Sequence, residues 1–142
     1  MQTFLPFANY KKCAEVLDDK RLGKQIVEAY QILKALTIKD YGWKNHPAVK
    51  MWKGYRGSLF LYAFELYSEW RKRKNKEHKA FINMRAFIAG LEIDESEYKV
   101  PHWLGSSALH NSHRSNLVRK KAEHYGKLWP EVEKNLAYFW PH

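Results

Sequence analysis

The sequence predicts an all-α protein, a compact single-domain helical bundle with an irregular aromatic C-terminal tail. Three observations predict it. Apolar residues recur at helical spacing over long stretches, and nothing alternates with period two over a useful length. A chain of 142 residues, 45% apolar, can bury one real core but does not divide comfortably into two, so 1–142 reads as one domain.

The first helix is predicted over 11–36, where Ala14, Leu17, Leu22, Ile26, Ala29, Leu33 and Leu36 share a face. Pro6 and Asn9 suit the turn before it, and Tyr41-Gly42 the turn after it. A second helix is predicted over 45–73, with Pro47 in its first turn, where a missing N–H costs nothing. Trp52, Tyr55, Leu59, Tyr62, Ala63, Leu66, Tyr67 and Trp70 give it a broad apolar stripe. Gly54 and Gly57 weaken that helix locally and leave room for a close neighbour. The run Arg71–Lys74 complements its C-terminal dipole. A shorter helix follows over 77–91, facing inward with Phe81, Met84, Phe87, Ile88 and Leu91, and then an acidic loop over 92–97. Ser106 and Ser107 are good N-cap residues for a helix reaching about Lys121. After Gly126 the tail reads as irregular and aromatic, through Trp129 to Tyr138, Phe139 and Trp140.

Lys and Arg number 25 against 15 acidic residues, a formal charge of +10, which biases partners toward polyanions without fixing which. Cys13 is the only cysteine, so no disulfide or cysteine-based zinc site forms within the chain. The N-terminus lacks a signal-peptide apolar run, and the segment 59–67 is far too short to span a bilayer. No membrane association is expected, and a cytoplasmic location is the default. No Gly-rich phosphate loop, Gly-x-Ser-x-Gly elbow or zinc-deaminase pattern is present.

Three constellations could carry chemistry. Arg21, Lys24, Gln25 and Glu28 form one polar stripe on the first helix. Spacing alone favours a solvated face with a Lys24–Glu28 pair; the functional reading is a carboxylate held in a basic surface for acid–base work on a phosphate-bearing substrate. The segment 109–121 is rich in donors that grip phosphates and base edges: His110, His113, Arg114, Asn116, Arg119, Lys120 and Lys121. His110 and His113 could share a metal, but no third ligand stands nearby, so no metal is expected. His46 sits at a helix N-terminus, where it suits a buried structural role and a functional one equally. The terminal aromatics suit core packing better than a base-stacking platform.

These residues together resemble the pyrimidine-dimer DNA glycosylases, the phage-type endonuclease V family, and within it a bacterial branch. The resemblance rests on LDDKRLGKQ at 17–25, NHPAVKMW at 45–52, SHRSNL at 112–117 and Tyr125-Gly126-Lys127. It implies a compact helical fold, cleavage of the glycosidic bond at ultraviolet photodimers, and strand nicking. It places the family's catalytic glutamate at Glu28 and its Gly-His before the central helix at His46. The implied nucleophile is the N-terminal α-amine, which attacks the sugar C1′ and leaves an imine that permits β-elimination. An α-amine near pKa 8 is unprotonated at neutral pH far more often than a lysine near 10.4. Two departures stand out. Gln2 is bulky enough to block removal of Met1, where phage relatives expose a threonine, so Met1 and Gln2 together set where the amine lies. Val27 and Gln31 replace the arginines that flank the glutamate in relatives, leaving Arg21 and Lys24 to supply charge.

The expectation is a DNA glycosylase acting on a damaged or modified base, with nicking through the amine as a second step. Catalysis falls to Glu28, Met1 and Gln2. DNA contact falls to Arg21, Lys24, Gln25, His46 and the 110–121 set. The partner is double-stranded DNA containing a lesion; no cofactor, a monomer, and a nucleoid association when bound are expected. A non-catalytic DNA-binding module and an RNA-binding protein are the alternatives.

Overall fold

A computed structural model describes residues 1–141. Among them are seven α-helices and one short 3-10 helix, with no strand. The helices are α1 (Tyr10–Val16), α2 (Asp19–Thr37), α3 (Pro47–Lys50), α4 (Arg56–Lys74), α5 (Lys79–Ala89), α6 (Ser107–Lys120) and α7 (Ala122–Leu128). The 3-10 helix, Glu95–Tyr98, occupies the end of the acidic loop and is closed by an Asp94/Glu97 capping box. No helix among the described residues is long and apolar enough to cross a membrane.

The predicted first helix is two helices. The chain turns extended at Leu17 and Asp18, whose ψ values are 138° and 159°. The apolar period runs on across the break, so periodicity alone could not show it. A buried polar knot holds the break. The Asp18 N–H donates to the Tyr125 hydroxyl (2.9 Å), which in turn donates to the Asp18 carboxylate, while Arg21 reaches the same carboxylate at 3.2 Å. Burial opposes ionisation of Asp18, but the hydrogen bonds from Tyr125 and Arg21 outweigh it and hold the carboxyl below its ordinary range. Arg73 completes the corner by donating to the Leu17, Glu15 and Ala14 carbonyls at 2.6, 3.0 and 3.3 Å. The basic end of α4 therefore caps the C-terminus of α1 in addition to complementing its own dipole.

The predicted second helix is also interrupted. After α3 the chain makes tight turns through Met51–Tyr55, with Gly54 at φ +83, before α4 begins. Gly57 then provides the close approach. A Cβ there would lie 2.6 Å from the ring of Tyr98, so the 3-10 helix seats directly on α4. Gly23 does the same for α2 against Trp70 of α4, at 2.9 Å. Helix α6 ends at Lys120, and α7 then runs on through Lys127 and Leu128, the first two residues of the tail expected to be irregular.

One contiguous apolar cluster joins these helices, with Trp52, Tyr62, Tyr125, Phe81 and Leu5 among its fully buried side chains. Leu5 does not belong to a helix. The extended segment before α1 runs into the interior, so residues 2–6 are all buried.

Candidate active site

A buried extended strap must satisfy each of its backbone polar groups from elsewhere. Here side chains of α2, α4 and α6 do so. Gln25 lies on α2 facing the strap, and its amide is fully used. Its Oε1 accepts from the Phe4 N–H at 2.8 Å, and its Nε2 donates to the Gln2 carbonyl at 3.0 Å and to the Glu28 carboxylate at 2.7 Å. The Tyr62 hydroxyl donates to the Phe4 carbonyl at 2.7 Å and stands 3.1 Å from Gln25 Oε1. Trp52 donates its indole N–H to Thr3 Oγ1 at 3.0 Å.

Helix α6 grips the next residues. His113 Nδ1 accepts from the Leu5 N–H at 2.8 Å, and His110 Nδ1 meets the Leu5 carbonyl at 2.7 Å. The other His110 nitrogen accepts from the Gly105 N–H at 2.9 Å, which makes Nδ1 the protonated nitrogen of a neutral ring. Arg114 donates to the Pro6 carbonyl at 2.7 Å and lies over the Phe7 ring. His113 is wholly buried, and desolvation, with a smaller contribution from His110, pushes its pKa down to about 3. It is a neutral hydrogen-bond acceptor and cannot carry charge to a phosphate.

The strap delivers Met1 to a cleft of about 350 Å³. Met1, Gln2, Phe4, Gln25, Glu28 and Tyr138 line it, and Lys20, Arg21, Lys24 and Lys120 add four positive charges. Glu28 is half-buried and accepts a hydrogen bond from the Gln2 backbone as well as from Gln25. Burial raises its pKa above the ordinary glutamate range, against the opposing pull of the N-terminal ammonium and Lys24. Burial, with a smaller contribution from the same ammonium, lowers the pKa of His46. His46 caps α3 by accepting from the Ala48 N–H at 3.0 Å.

The cleft thus brings together Met1, Gln2, Arg21, Lys24, Gln25, Glu28 and Lys120 from the predicted set. It does not bring in the rest of α6. His110 and His113 are buried against Leu5, and Gln25 is buried against the strap, so none of the three presents a free edge to a surface ligand. Asn116 and Arg119 hold the C-terminal tail. Asn116 donates to the Leu136 carbonyl at 3.2 Å, and Arg119 donates to the Leu136 and Lys134 carbonyls at 2.9 and 2.6 Å. Lys121 stands 4.0 Å from the Asp18 carboxylate. Phe4, Tyr138 and Lys20 are cleft residues that sequence reasoning missed. Lys20 lies one helical turn before Lys24, so the stripe could have shown it. Nothing local marks Tyr138, which the returning tail carries into place.

The part of the chain that holds Met1 and Glu28 decides its kinship. The family model of the pyrimidine dimer DNA glycosylases matches residues 1–83, which hold Met1, the strap, Glu28 and His46. The chain belongs to the pyrimidine dimer DNA glycosylase family. DNA is accordingly its substrate class, and the basic cleft has the charge to receive it. No curated protein and no solved structure matches the chain. The match ends before α6, which carries His110 and His113.

Proposed function

We propose that the chain releases a damaged pyrimidine from duplex DNA in this cleft and then nicks the strand through the Met1 amine. The observation that carries the reading is that the buried strap and Glu28 meet in one basic hollow. In the first step the amine lone pair forms a bond to C1′ while the glycosidic bond breaks and the base leaves with its electron pair. Glu28 stabilises the positive charge that develops on the sugar and relays the proton shed by the amine. The C1′–O4′ bond then breaks, O4′ taking a proton through Glu28, which opens the sugar and turns the adduct into an imine that acidifies the neighbouring C2′ proton. Its removal expels the 3′ phosphate by β-elimination. Arg21, Lys24, Lys20 and Lys120 hold the phosphates, and the target base leaves the stack to reach the cleft.

Ultraviolet-irradiated duplex incubated with the protein should release bases. Glu28→Gln should lower that rate by about 10²-fold or more while leaving DNA affinity nearly intact. Equal rates for the two proteins would remove Glu28 from the mechanism. The backbone nitrogen that donates to Glu28 is the Gln2 amide, one residue inside Met1. That spacing favours a second reading, in which Glu28 activates water and no imine forms. Borohydride separates the two: a covalent protein–DNA adduct supports amine attack, and base release without an adduct supports hydrolysis. Intact mass of the purified protein identifies which residue carries the amine.

A further inference from the structure

Gln2 enters the interior with its backbone and its side-chain amide, and all but one of their polar atoms are engaged. The backbone N–H donates to the Glu28 carboxylate, the carbonyl accepts from Gln25 at 3.0 Å, and Oε1 accepts from the Thr3 N–H at 2.9 Å. The last bond fixes the amide's orientation, because an NH2 group turned toward the Thr3 N–H would set donor against donor. Nε2 is therefore the free end. It is buried and has no hydrogen-bond partner among the described residues. Trp70, His78 and His113 each carry such an atom too, but none of them lines the cleft, whereas Gln2 does. With the residue only 6% exposed, water does not reach this donor freely. An unmade bond on a buried donor costs free energy that folding alone does not recover, and at a reaction site the substrate can complete it.

We propose that the Gln2 side-chain amide donates to O2 of the pyrimidine as the base leaves C1′, a role that rests on the reading that this cleft releases a pyrimidine. The remaining polar groups of the cleft leave that position to it. Lys20, Arg21, Lys24 and Lys120 carry full charges suited to phosphates, and the Glu28 carboxylate repels a departing anion. When the glycosidic bond breaks, its electron pair stays on N1 and spreads to O2. The C5–C6 bond of a photodimer is saturated, so the pair cannot pass through the ring carbons to O4, and O2 is the oxygen that takes the charge. A neutral N–H already held in place by three other bonds of its residue stabilises charge that appears only as the base departs. No proton is transferred in this contact.

Two variants separate this donor from a packing role. Gln2→Met keeps the length and removes both side-chain polar atoms, whereas Gln2→Glu keeps the acceptor for the Thr3 N–H and removes only the donor. Both new side chains are bulky, so Met1 stays in place, which intact mass checks. Single-turnover base release from a duplex holding one cis-syn thymine dimer should fall about 10²-fold in both, read at the plateau of each pH profile. A preformed aldehydic abasic site has no base to expel, so its nicking should fall far less. Affinity for a tetrahydrofuran abasic duplex should be nearly intact. Gln2→Glu releasing base at the wild-type rate overturns the assignment, because the Thr3 bond would then be all that Gln2 supplies. Nicking that falls as far as base release also overturns it, since that marks a displaced amine. A wild type that releases base without nicking loses amine attack, and the donor stands if both variants release slowly while still binding the tetrahydrofuran duplex. A wild type that releases no base removes the reading of the cleft, and the donor falls with it.

Discussion

Glu28 and Gln25 show how much one amide can decide. The Gln25 side chain ties the strap to the carboxylate through two donors and one acceptor, so it sets the distance between the N-terminus and Glu28. Gln25→Glu is isosteric but removes both donors and puts a second carboxylate beside the first. The variant should lose on the order of 10²-fold in kcat through misplacement of the reacting groups. Its acidic limb should also move to higher pH, because a like charge raises the pKa of Glu28 further. A steady-state pH profile checks both, and a loss in kcat with an unmoved limb would mean Gln25 acts only in packing. Gln25 looked surface-directed in the sequence because it lies in register with Arg21, Lys24 and Glu28. Its register was legible, but its burial was not, since the strap that covers it lies 21 residues away.

Among the elements, α6 changes meaning most between sequence and structure. Its donor-rich face grips the chain's own backbone at Leu5, Pro6 and the tail. This grip makes stability depend on pH. His113 has a folded pKa of about 3 against an ordinary value of 6.5, so between those values the unfolded chain binds the extra proton. The neutral ring's contribution is therefore complete above about pH 6.5 and is lost as pH falls toward 3; His110, also shifted down, adds to the same slope. His113→Gln keeps an acceptor that does not titrate, and should flatten the acid side of a plot of denaturant midpoint against pH. An unchanged slope would assign the acid sensitivity elsewhere. The contact of α4 with the 3-10 helix gives a second expectation. Gly57→Ala drives a methyl into the Tyr98 ring and should cost about 1–3 kcal/mol, read as a lowered Tm. Base release per folded molecule should stay as in wild type, because neither residue lines the cleft.

Over the whole molecule the charge of +10 divides by role. Arg73, Arg114 and Arg119 are spent on backbone carbonyls, whereas Lys20, Lys24 and Lys120 face the cleft. Only the second group should register in the salt dependence of DNA binding. Lys120→Ala should lower the slope of log K against log salt by about one, the loss of one phosphate contact. Lys99, beside Glu95, Ser96 and Tyr98 in a separate hollow, should leave the slope unchanged when replaced by alanine. Equal slopes for wild type and Lys120→Ala would place the duplex on another face.

The all-helical class was legible in the sequence because periodicity is local and strong, and so was the stripe that carries Glu28. Local signals also marked the donors of α6, but as groups facing a ligand. The helix breaks at Leu17–Asp18 and before Arg56 escaped, because the apolar spacing continues across them while the backbone does not. What only the tertiary structure decided is that an extended N-terminal strap enters the core. Once its peptide groups are buried they require partners, and His110, His113, Gln25 and Tyr62 become those partners from positions 21 to 108 residues away. Residue types can announce hydrogen-bonding capacity, but which backbone they satisfy depends on which segment the fold removes from water.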